Sequence, residues 1–163
     1  MNFTSFTLDR FTTHKYIYII IFIFIIDLKA VQMQSIIQYI LIRGDLFREL
    51  NWSSGAVIAQ ACHASTACIA TYLKQNDNHT VEYIADMENM HKVVLDVINE
   101  KEILKVSKAL TENNILHTLW YEKPENIPTC IAVKPYPRND LKKYLKKFKL
   151  FSYPILAPSS KKD

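Results

Sequence analysis

The fold is decided by residues 52–71, which read WSSGAVIAQACHASTACIAT. Ser53 and Ser54 open this stretch, and serine hydroxyls accept hydrogen bonds from the unpaired amides of a first helical turn. Most of the residues that follow have small side chains, which let another element approach the backbone closely. The stretch therefore predicts a helix that packs tightly against the rest of the fold.

Two polar residues, Gln60 and His63, stand three positions apart in this helix and so lie on neighbouring positions of one face. A buried amide or imidazole needs hydrogen-bond partners. The pair is therefore either a satisfied part of the core or the lining of a site. The position of Gln60 and His63 alone favours the first alternative, in which both are satisfied residues of the core.

A largely apolar run, Ile36–Arg43, precedes the helix and reads IIQYILIR. Such a run, followed by Gly44 and then a helix, is typical of the opening of an α/β unit. Ligands of such sheets usually bind at the carboxyl ends of the strands. Arg43 and Asp45 stand at that end.

Composition restricts the classes of function. The chain has 163 residues and a net charge of +4, which allows an anionic partner without requiring one. Gly44 and Gly55 are the only glycines, so a glycine-rich phosphate-binding loop is excluded. The three cysteines are an odd, sparse set, which indicates a reducing compartment. Neither the cysteines nor the histidines show metal-ligand spacing, so no metal is expected.

Residues 1–32 differ from the rest of the chain because residues 16–26 form a run of isoleucine, tyrosine and phenylalanine. This run is shorter than the ~20 residues that cross a bilayer. It fits a signal-peptide core, a membrane anchor aided by tilt, or a segment that is not translated because Met33 is the true start. The last is favoured and predicts a cytoplasmic protein, with a mitochondrial or membrane-anchored location as the alternative.

The remaining chain alternates strands and helices. The predicted strands are 92–97, 116–122 and 129–134, and the predicted helices are a short one within 81–90, one over 100–112 and one from 139 or 140 to 148. A polar loop is expected over 74–80. Alternation of this kind places helices on both faces of a sheet with a parallel first crossover, and the short last connection predicts a hairpin.

Two of these helices carry further expectations. Asn99 caps the helix over 100–112, whose predicted buried stripe is Ile103, Leu104, Val106 and Leu110. The last helix is expected to bury Leu141, Tyr144, Leu145 and Phe148. Its other face carries Lys142, Lys143, Lys146, Lys147 and Lys149, which favours a solvated face over one that contacts a phosphate backbone.

Several segments together resemble one family. They are RGDL at 43–46, AQACHA at 59–64 after Gly55, MHKVVL at 90–95 and EKPENIPTCIA at 122–132. Their order and spacing are similar to those of the type 2 peptidyl-tRNA hydrolases of archaea and eukaryotes. The match is nearest to the divergent branch of peptidyl-tRNA hydrolase domain-containing proteins.

The resemblance runs from about residue 36 to 151, within an expected domain of residues 33–152 and before a tail of residues 153–163. It implies an α/β fold, a three-layer αβα arrangement with a four-stranded mixed β-sheet, and a possible homodimer. The implied activity is hydrolysis of the ester between a peptide and the terminal ribose of tRNA. Peptidyl-tRNA is the implied partner, and no metal or organic cofactor is expected.

An ester hydrolase must place a water, accept its proton and stabilise the oxyanion that forms. We expect His63 or Glu122 to accept the proton, with Gln60 and Asn126 orienting the reacting groups. The residues expected to bind substrate or tRNA are Arg43, Asp45, Lys92, Thr129 and Lys134.

The chain departs from the family pattern at three positions. Typical members carry a lysine four residues before the glutamine, where this chain has Ala56. They carry an aspartate and then a threonine where this chain has Glu122 and Asn126. Two hypotheses follow: a hydrolase that uses another arrangement, or a module that binds tRNA, another RNA or a protein on the same fold.

Overall fold

A computed structural model of the protein describes residues 18–22 and 35–152. The chain divides into two compact units, residues 1–34 and residues 35–163. In the first unit, residues 18–22 are helical and exposed. The second unit contains all the elements named below.

The predictions for the N-terminal and C-terminal segments mostly concern residues outside the ranges 18–22 and 35–152. The start at Met33 and the tail at 153–163 lie outside the described residues, as does most of residues 1–32. These predictions stay predictions.

One sheet organises the second unit. Its strands are β1 (Ile36–Arg43), β2 (His91–Val97), β3 (His117–Glu122), β4 (Ile127–Val133) and the two-residue β5 (Tyr136–Pro137). The order is β2-β1-β4-β3, with β5 pairing the start of β1. β1 and β2 are parallel, whereas β4 is antiparallel to both β1 and β3. The predicted mixed sheet, with its parallel crossover and its final hairpin, is confirmed.

Helices cover both faces of the sheet. They are α1 (Asp45–Arg48), α2 (Ser54–Lys74), α3 (Asn78–Ala85), α4 (Glu100–Glu112) and α5 (Arg138–Leu145). α2 packs on one face together with Ile40 and Ile42 of β1. α4 and α5 pack on the other face around Leu41 and Ile131. Because alternate residues of β1 are buried on opposite faces, the strand reads as a nearly continuous apolar run.

The stretch at residues 52–71, which decides the fold, forms α2 as predicted. The side chain of Ser53 accepts a hydrogen bond from the amide of Ala56 and so caps the helix. Ala64 and Cys68 are fully buried against the sheet. Of the described helices, α2 is the one long and apolar enough by length and composition to cross a membrane, and its packing on the sheet accounts for that composition.

Three helical predictions need correction. Helix α3 begins at Asn78, inside the predicted loop, because Asp77 caps it through the amide of Thr80. Helix α4 begins after its Asn99 cap as predicted, but Leu104 is 40% exposed and is not part of the buried stripe. Helix α5 begins at Arg138, with no side-chain cap. Its Leu141 and Leu145 are buried, whereas Tyr144 and Phe148 pack at the margin of the core.

Two pairings of the sheet were not predicted. The short β5 pairs with the start of β1, so the turn after β4 adds to the sheet. Beyond α5 the chain returns to β2 and forms two backbone hydrogen bonds with it. The amide of Asp96 donates to the carbonyl of Lys149, and the amide of Phe151 donates to the carbonyl of Val94. This return covers part of the open edge of β2, as native sheets commonly require.

Replacing Ala64 tests the close approach of α2 to the sheet. Ala64→Leu inserts three carbon atoms where the side chain is fully buried, so we expect a loss of about 1–3 kcal/mol in the free energy of unfolding. Urea denaturation measures it. Ala70→Leu on the exposed face of the same helix is the matched control and should cost less than about 0.5 kcal/mol. Equal losses for the two variants would contradict the packing described.

Candidate active site

The first half of α2 lies against the β3–β4 hairpin, and the two elements bring His63 and Glu122 to one flank of the sheet. The ring of His63 stacks on that of Trp120, with centroids 5.2 Å apart and planes inclined by 23°. The indole nitrogen of the same tryptophan donates to Oε2 of Glu122 at 3.2 Å. Trp120 therefore links an exposed imidazole to a half-buried carboxylate from a different element.

Sequence reasoning missed Trp120. Its only signal was the period of the strand, which places Trp120 and Glu122 on the same face because they are two residues apart. That the face also meets His63 depends on the packing of α2, which no local pattern gives.

Gln60 and Thr129 form a second contact between the helix and the hairpin. Both are buried, and the hydroxyl of Thr129 donates to Oε1 of Gln60 at 2.9 Å. A buried amide oxygen is thereby satisfied. The structure thus places Thr129 in the interior, as a residue that holds the helix, rather than on a surface open to tRNA.

A β-bulge explains how Thr129 reaches the helix. Trp120 pairs with Cys130 and Tyr121 pairs with Pro128, so Thr129 is an extra residue in β4. In a regular strand, neighbours point to opposite faces, and Thr129 would face α4 because Cys130 lies on the α2 side. The bulge re-aims its side chain toward Gln60, a use of bulges that is common beside functional sites.

Asn126 lies in the turn that follows Glu122. Its φ of 55° is in the left-handed region, which asparagine tolerates better than most residues. The ammonium of Lys123 donates to Oδ1 of Asn126. The side-chain oxygen is therefore engaged within the turn, and the amide nitrogen is the group left to donate to a ligand.

Arg43 and Asp45, expected to bind substrate or tRNA, are instead buried and bonded to each other. The guanidinium donates from Nε and Nη2 to the two oxygens of Asp45, at 3.1 and 2.8 Å. Its Nη1 donates to Glu100 at 2.8 Å and to the carbonyl of Pro128 at 2.9 Å. Four of the five N–H groups are engaged, so this arrangement favours a structural role.

Lys134 is also held in the interior. Its ammonium is 3.0 Å from Asp77, the residue that caps α3, and lies 3.8 Å from the ring centroid of Tyr136. Burial alone would raise the pKa of Asp77, but hydrogen bonds from Thr80 and Lys134 to the ionised carboxylate outweigh it and lower that pKa. A phosphate ligand at Lys134 would have to displace this ion pair.

Lys92 lies apart from the His63 flank, on the strand at the opposite edge of the sheet. Its ammonium donates to the side chains of Gln38, at 2.6 Å, and Ser65, at 3.2 Å. Desolvation lowers the pKa of Lys92. Of the nine predicted site residues, the structure thus groups His63, Gln60, Glu122, Asn126 and Thr129 around α2 and the hairpin. Arg43, with its partner Asp45, reaches the hairpin through the carbonyl of Pro128, whereas Lys92 and Lys134 lie apart from it.

The cysteines do not join this group. Burial raises the pKa of Cys68 to about 11 and raises that of Cys130 as well, so neither is a ready thiolate. Cys62 is exposed but faces the groove beside Lys92 rather than Trp120. Within the described residues no cluster of three His, Cys, Asp or Glu side chains could hold a metal ion.

Comparison with known proteins decides the family. Residues 36–151 match the family described as "Peptidyl-tRNA hydrolase PTH2". The chain belongs to the PTH2 family. Two relatives, from Mus musculus and Homo sapiens, carry the name "Putative peptidyl-tRNA hydrolase PTRHD1". They are 45% and 44% identical to this chain over 124 residues, which cover 76% of this chain and 87% of each relative.

The matched part of this PTH2 chain includes every predicted site residue. The resemblance inferred from the sequence, including the divergent branch, is therefore confirmed. Ala56, at the position where typical members carry a lysine, lies one turn before Gln60 in the first turn of α2. The structure thus places a methyl group in the first turn of α2, at the position where the family resemblance implies a lysine.

The ion pair of Asp77 predicts a pH dependence of stability. Because the folded-state pKa of Asp77 is lowered, its contribution is present above the unfolded value of about 3.9 and is lost as the pH falls through the folded value. Asp77→Asn should therefore be less stable than the natural protein at pH 7, by about 1.5–3 kcal/mol. The gap should shrink below about pH 4.

Urea denaturation at a series of pH values measures that gap. Asp140→Asn, at an exposed position of α5, is the matched control and should differ from the natural protein by less than about 0.5 kcal/mol at pH 7. A gap for Asp77→Asn that stays constant from pH 7 to pH 3 would show that the ion pair does not contribute as described.

Proposed function

We propose that this PTH2 protein is a peptidyl-tRNA hydrolase that cleaves the ester between a peptide and the 3′-terminal ribose of tRNA. The observation that carries the proposal is the shared contact of His63 and Glu122 with Trp120. This contact brings a group able to accept a proton and a carboxylate to one flank of the domain. Membership of the family supports the substrate class.

In the proposed reaction, a water attacks the ester carbonyl and gives up its proton to His63. Imidazole is the side chain that most often transfers protons near neutral pH. Among the described residues, neither ring nitrogen of His63 has a hydrogen-bond partner, and the ring is exposed. The proton then passes to the ribose oxygen as the ester bond breaks, so the products are a free peptide carboxyl group and a ribose hydroxyl.

Glu122 and the turn after it complete the proposed site. With Oε2 accepting from Trp120, the carboxylate of Glu122 is fixed in orientation and offers Oε1 to the water or to the imidazole. Donors placed before the reaction starts stabilise an oxyanion most effectively. The side-chain amide nitrogen of Asn126 and the backbone amides of Lys123, Glu125 and Asn126 supply such donors. Gln60 and Thr129 act as positioning residues, because their buried bond fixes α2 against the hairpin.

The proposal does not use a lysine at the start of α2. Where this chain has Ala56, charge stabilisation falls to the turn and to the histidine. A cytoplasmic location is part of the proposal, because peptidyl-tRNA arises in translation.

The proposal is tested by release of peptide from peptidyl-tRNA by the full chain. We expect His63→Gln and Glu122→Gln each to lower the rate by ~10² or more, because each removes a proton-transferring group. The exposed His91→Gln and Glu88→Gln are matched controls and should keep the natural rate. Thermal unfolding of each variant checks that the fold is intact.

Two outcomes would contradict the proposal. One is a folded natural protein that releases no peptide above the rate in buffer. The other is release that His63→Gln and Glu122→Gln leave unchanged. In the first case, Ala56→Lys tells whether the missing lysine is the cause, since a gain of activity would show a site that is otherwise assembled.

A second candidate, an RNA-binding module on the same fold, is favoured by the exposed face of α5. Lys142, Lys143 and Lys146 line a shallow hollow with Asn139 and Asp140. Another lysine of this region, Lys147, is already paired with Glu102 at 2.8 Å. The three lysines of the hollow form no ion pair with any residue that the structure describes, and they are the groups that would contact a phosphate backbone.

Changing all three lysines of the hollow to glutamine tests this candidate. If they contact phosphates, the plot of log affinity for tRNA against log salt should lose about one unit of slope per contact. The matched control replaces Lys101, Lys105 and Lys108, which are exposed on α4, with glutamine. An equal slope for both triple variants would exclude the α5 face as the tRNA-binding surface.

A further inference from the structure

A groove of about 540 Å³ lies beside α2, on the side away from His63. Its floor is formed by β1 and β2 and its wall by α2, whereas His63 contacts β3 at the other edge of the sheet. The apolar lining comes from Ile40, Ile42, Val57, Ile58, Val94 and Phe151. The volume lies in the range of roughly 300–1,000 Å³ found for small-molecule sites.

One positive charge lies in this lining. The ammonium of Lys92 donates to Gln38 and Ser65 and lies 5.3 Å from the ring centroid of Tyr83, and all three partners are neutral. No ion pair of Lys92 is found among the described residues, and no carboxylate lines the groove. The side chain of Lys92 as a whole is exposed, but its ammonium is partly desolvated and its described partners are all neutral, so the ammonium gains from an anion that enters the groove.

Gln38, which accepts the hydrogen bond of Lys92, has a polar atom that is left without a partner within residues 18–22 and 35–152. Gln38 is fully buried, and its Oε1 accepts from both Ser65 and Lys92. Its Nε2 has no hydrogen-bond partner in the part of the chain that the structure describes. Buried polar atoms without partners are uncommon in native proteins. Lys92 therefore brings a positive charge to the apolar groove, and the buried Gln38 that lies behind it, outside the lining, carries a donor without a partner among the described residues.

We propose that this groove binds a small molecule that has an apolar chain and a terminal carboxylate. The carboxylate contacts the ammonium of Lys92, and the chain lies along the apolar floor between Ile42, Val57 and Val94. The match of charge selects the anionic head, because among the described residues of the lining Lys92 is the only charged one. The site is separate from the proposed hydrolase site, so neither proposal depends on the other.

Calorimetric titration of the full chain with dodecanoate, below its micelle concentration, tests the proposal, and dodecan-1-ol serves as the uncharged probe. Dodecanoate should bind at least about 10-fold more tightly, since a hydrogen bond between two charged groups is among the stronger ones. Lys92→Met should remove that preference. Ile58→Glu places a carboxylate at an exposed position in the groove and should abolish binding of dodecanoate without loss of the fold.

Matched substitutions outside the groove test whether dodecanoate binds inside it. Lys105→Met on α4 and Ile98→Glu, an exposed residue outside the groove, should leave the affinity for dodecanoate unchanged. Absence of binding to the natural protein, as expected if another part of the chain fills the groove, would overturn the proposal. Equal affinity for the two probes, or equal effects of Ile58→Glu and Ile98→Glu, would overturn it as well.

Sedimentation of the natural protein and of Ile58→Glu separates a ligand site from a contact between copies. A dimer that Ile58→Glu converts to a monomer would identify the groove as a self-association surface and would overturn the proposal. An unchanged sedimentation coefficient, together with loss of dodecanoate binding, supports it. Peptide release by Ile58→Glu should equal that of the natural protein, because the substitution lies away from the hairpin.

Discussion

The buried guanidinium of Arg43 joins segments that are far apart in the chain. It binds Asp45 at the start of α1, Glu100 at the start of α4 and the carbonyl of Pro128 in β4. Glu100 is half exposed, but removal of Arg43 would leave Asp45 and the carbonyl of Pro128 buried and unpaired, and loss of one partner of a buried ion pair typically costs about 3–5 kcal/mol. The bond to Pro128 also holds β4 at the residue before the bulge. The position of the hairpin, and with it of the candidate site, therefore depends on this one side chain.

Helix α2 contributes residues to both of the sites proposed here, because its two flanks line different sites. Its buried stripe, which includes Ala64 and Cys68, fixes it to the middle of the sheet. Its two flanks then face different edges, one at β3 and one at β2. Neighbouring residues in a helix point about 100° apart. Cys62 and His63 consequently belong to different surfaces, although they are adjacent in the sequence.

Features with a local cause could be predicted from the sequence. The caps at Ser53 and Asn99 were correct because a cap bonds an amide only three residues away. The four main strands were located to within two residues, because both faces of the sheet are covered and the strands are therefore largely apolar. β4 begins at Ile127, two residues before its predicted start. The loop over 74–80 was wrong because the capping ability of Asp77 was overlooked. Leu104 was assigned to the core although it lies at the edge of the helical stripe, where packing decides exposure.

The candidate site was predictable only in part. The motifs predicted that His63, Gln60 and Glu122 belong to one site, and the structure brings His63 and Glu122 to the same tryptophan. Sequence cannot tell a lysine or arginine open to solvent from one bonded in the interior. Lys134 and Asp77 are 57 residues apart, and no local pattern announces their pairing. The same holds for Trp120, whose importance lies in a contact with α2 and not in its own strand.

The extra residue at Thr129 makes the length of β4 as important as its composition. With one residue fewer between Ile127 and Cys130, β4 would pair regularly with β3, and the threonine would turn from Gln60 toward α4. Ile127 would keep its pairing with Glu122, so the 123–126 turn would stay in place, but the hairpin would lose the bond that holds it to α2. A deletion of one residue here is therefore more disruptive than most substitutions, and comparisons of homologous chains should treat a gap in this strand as a change of architecture.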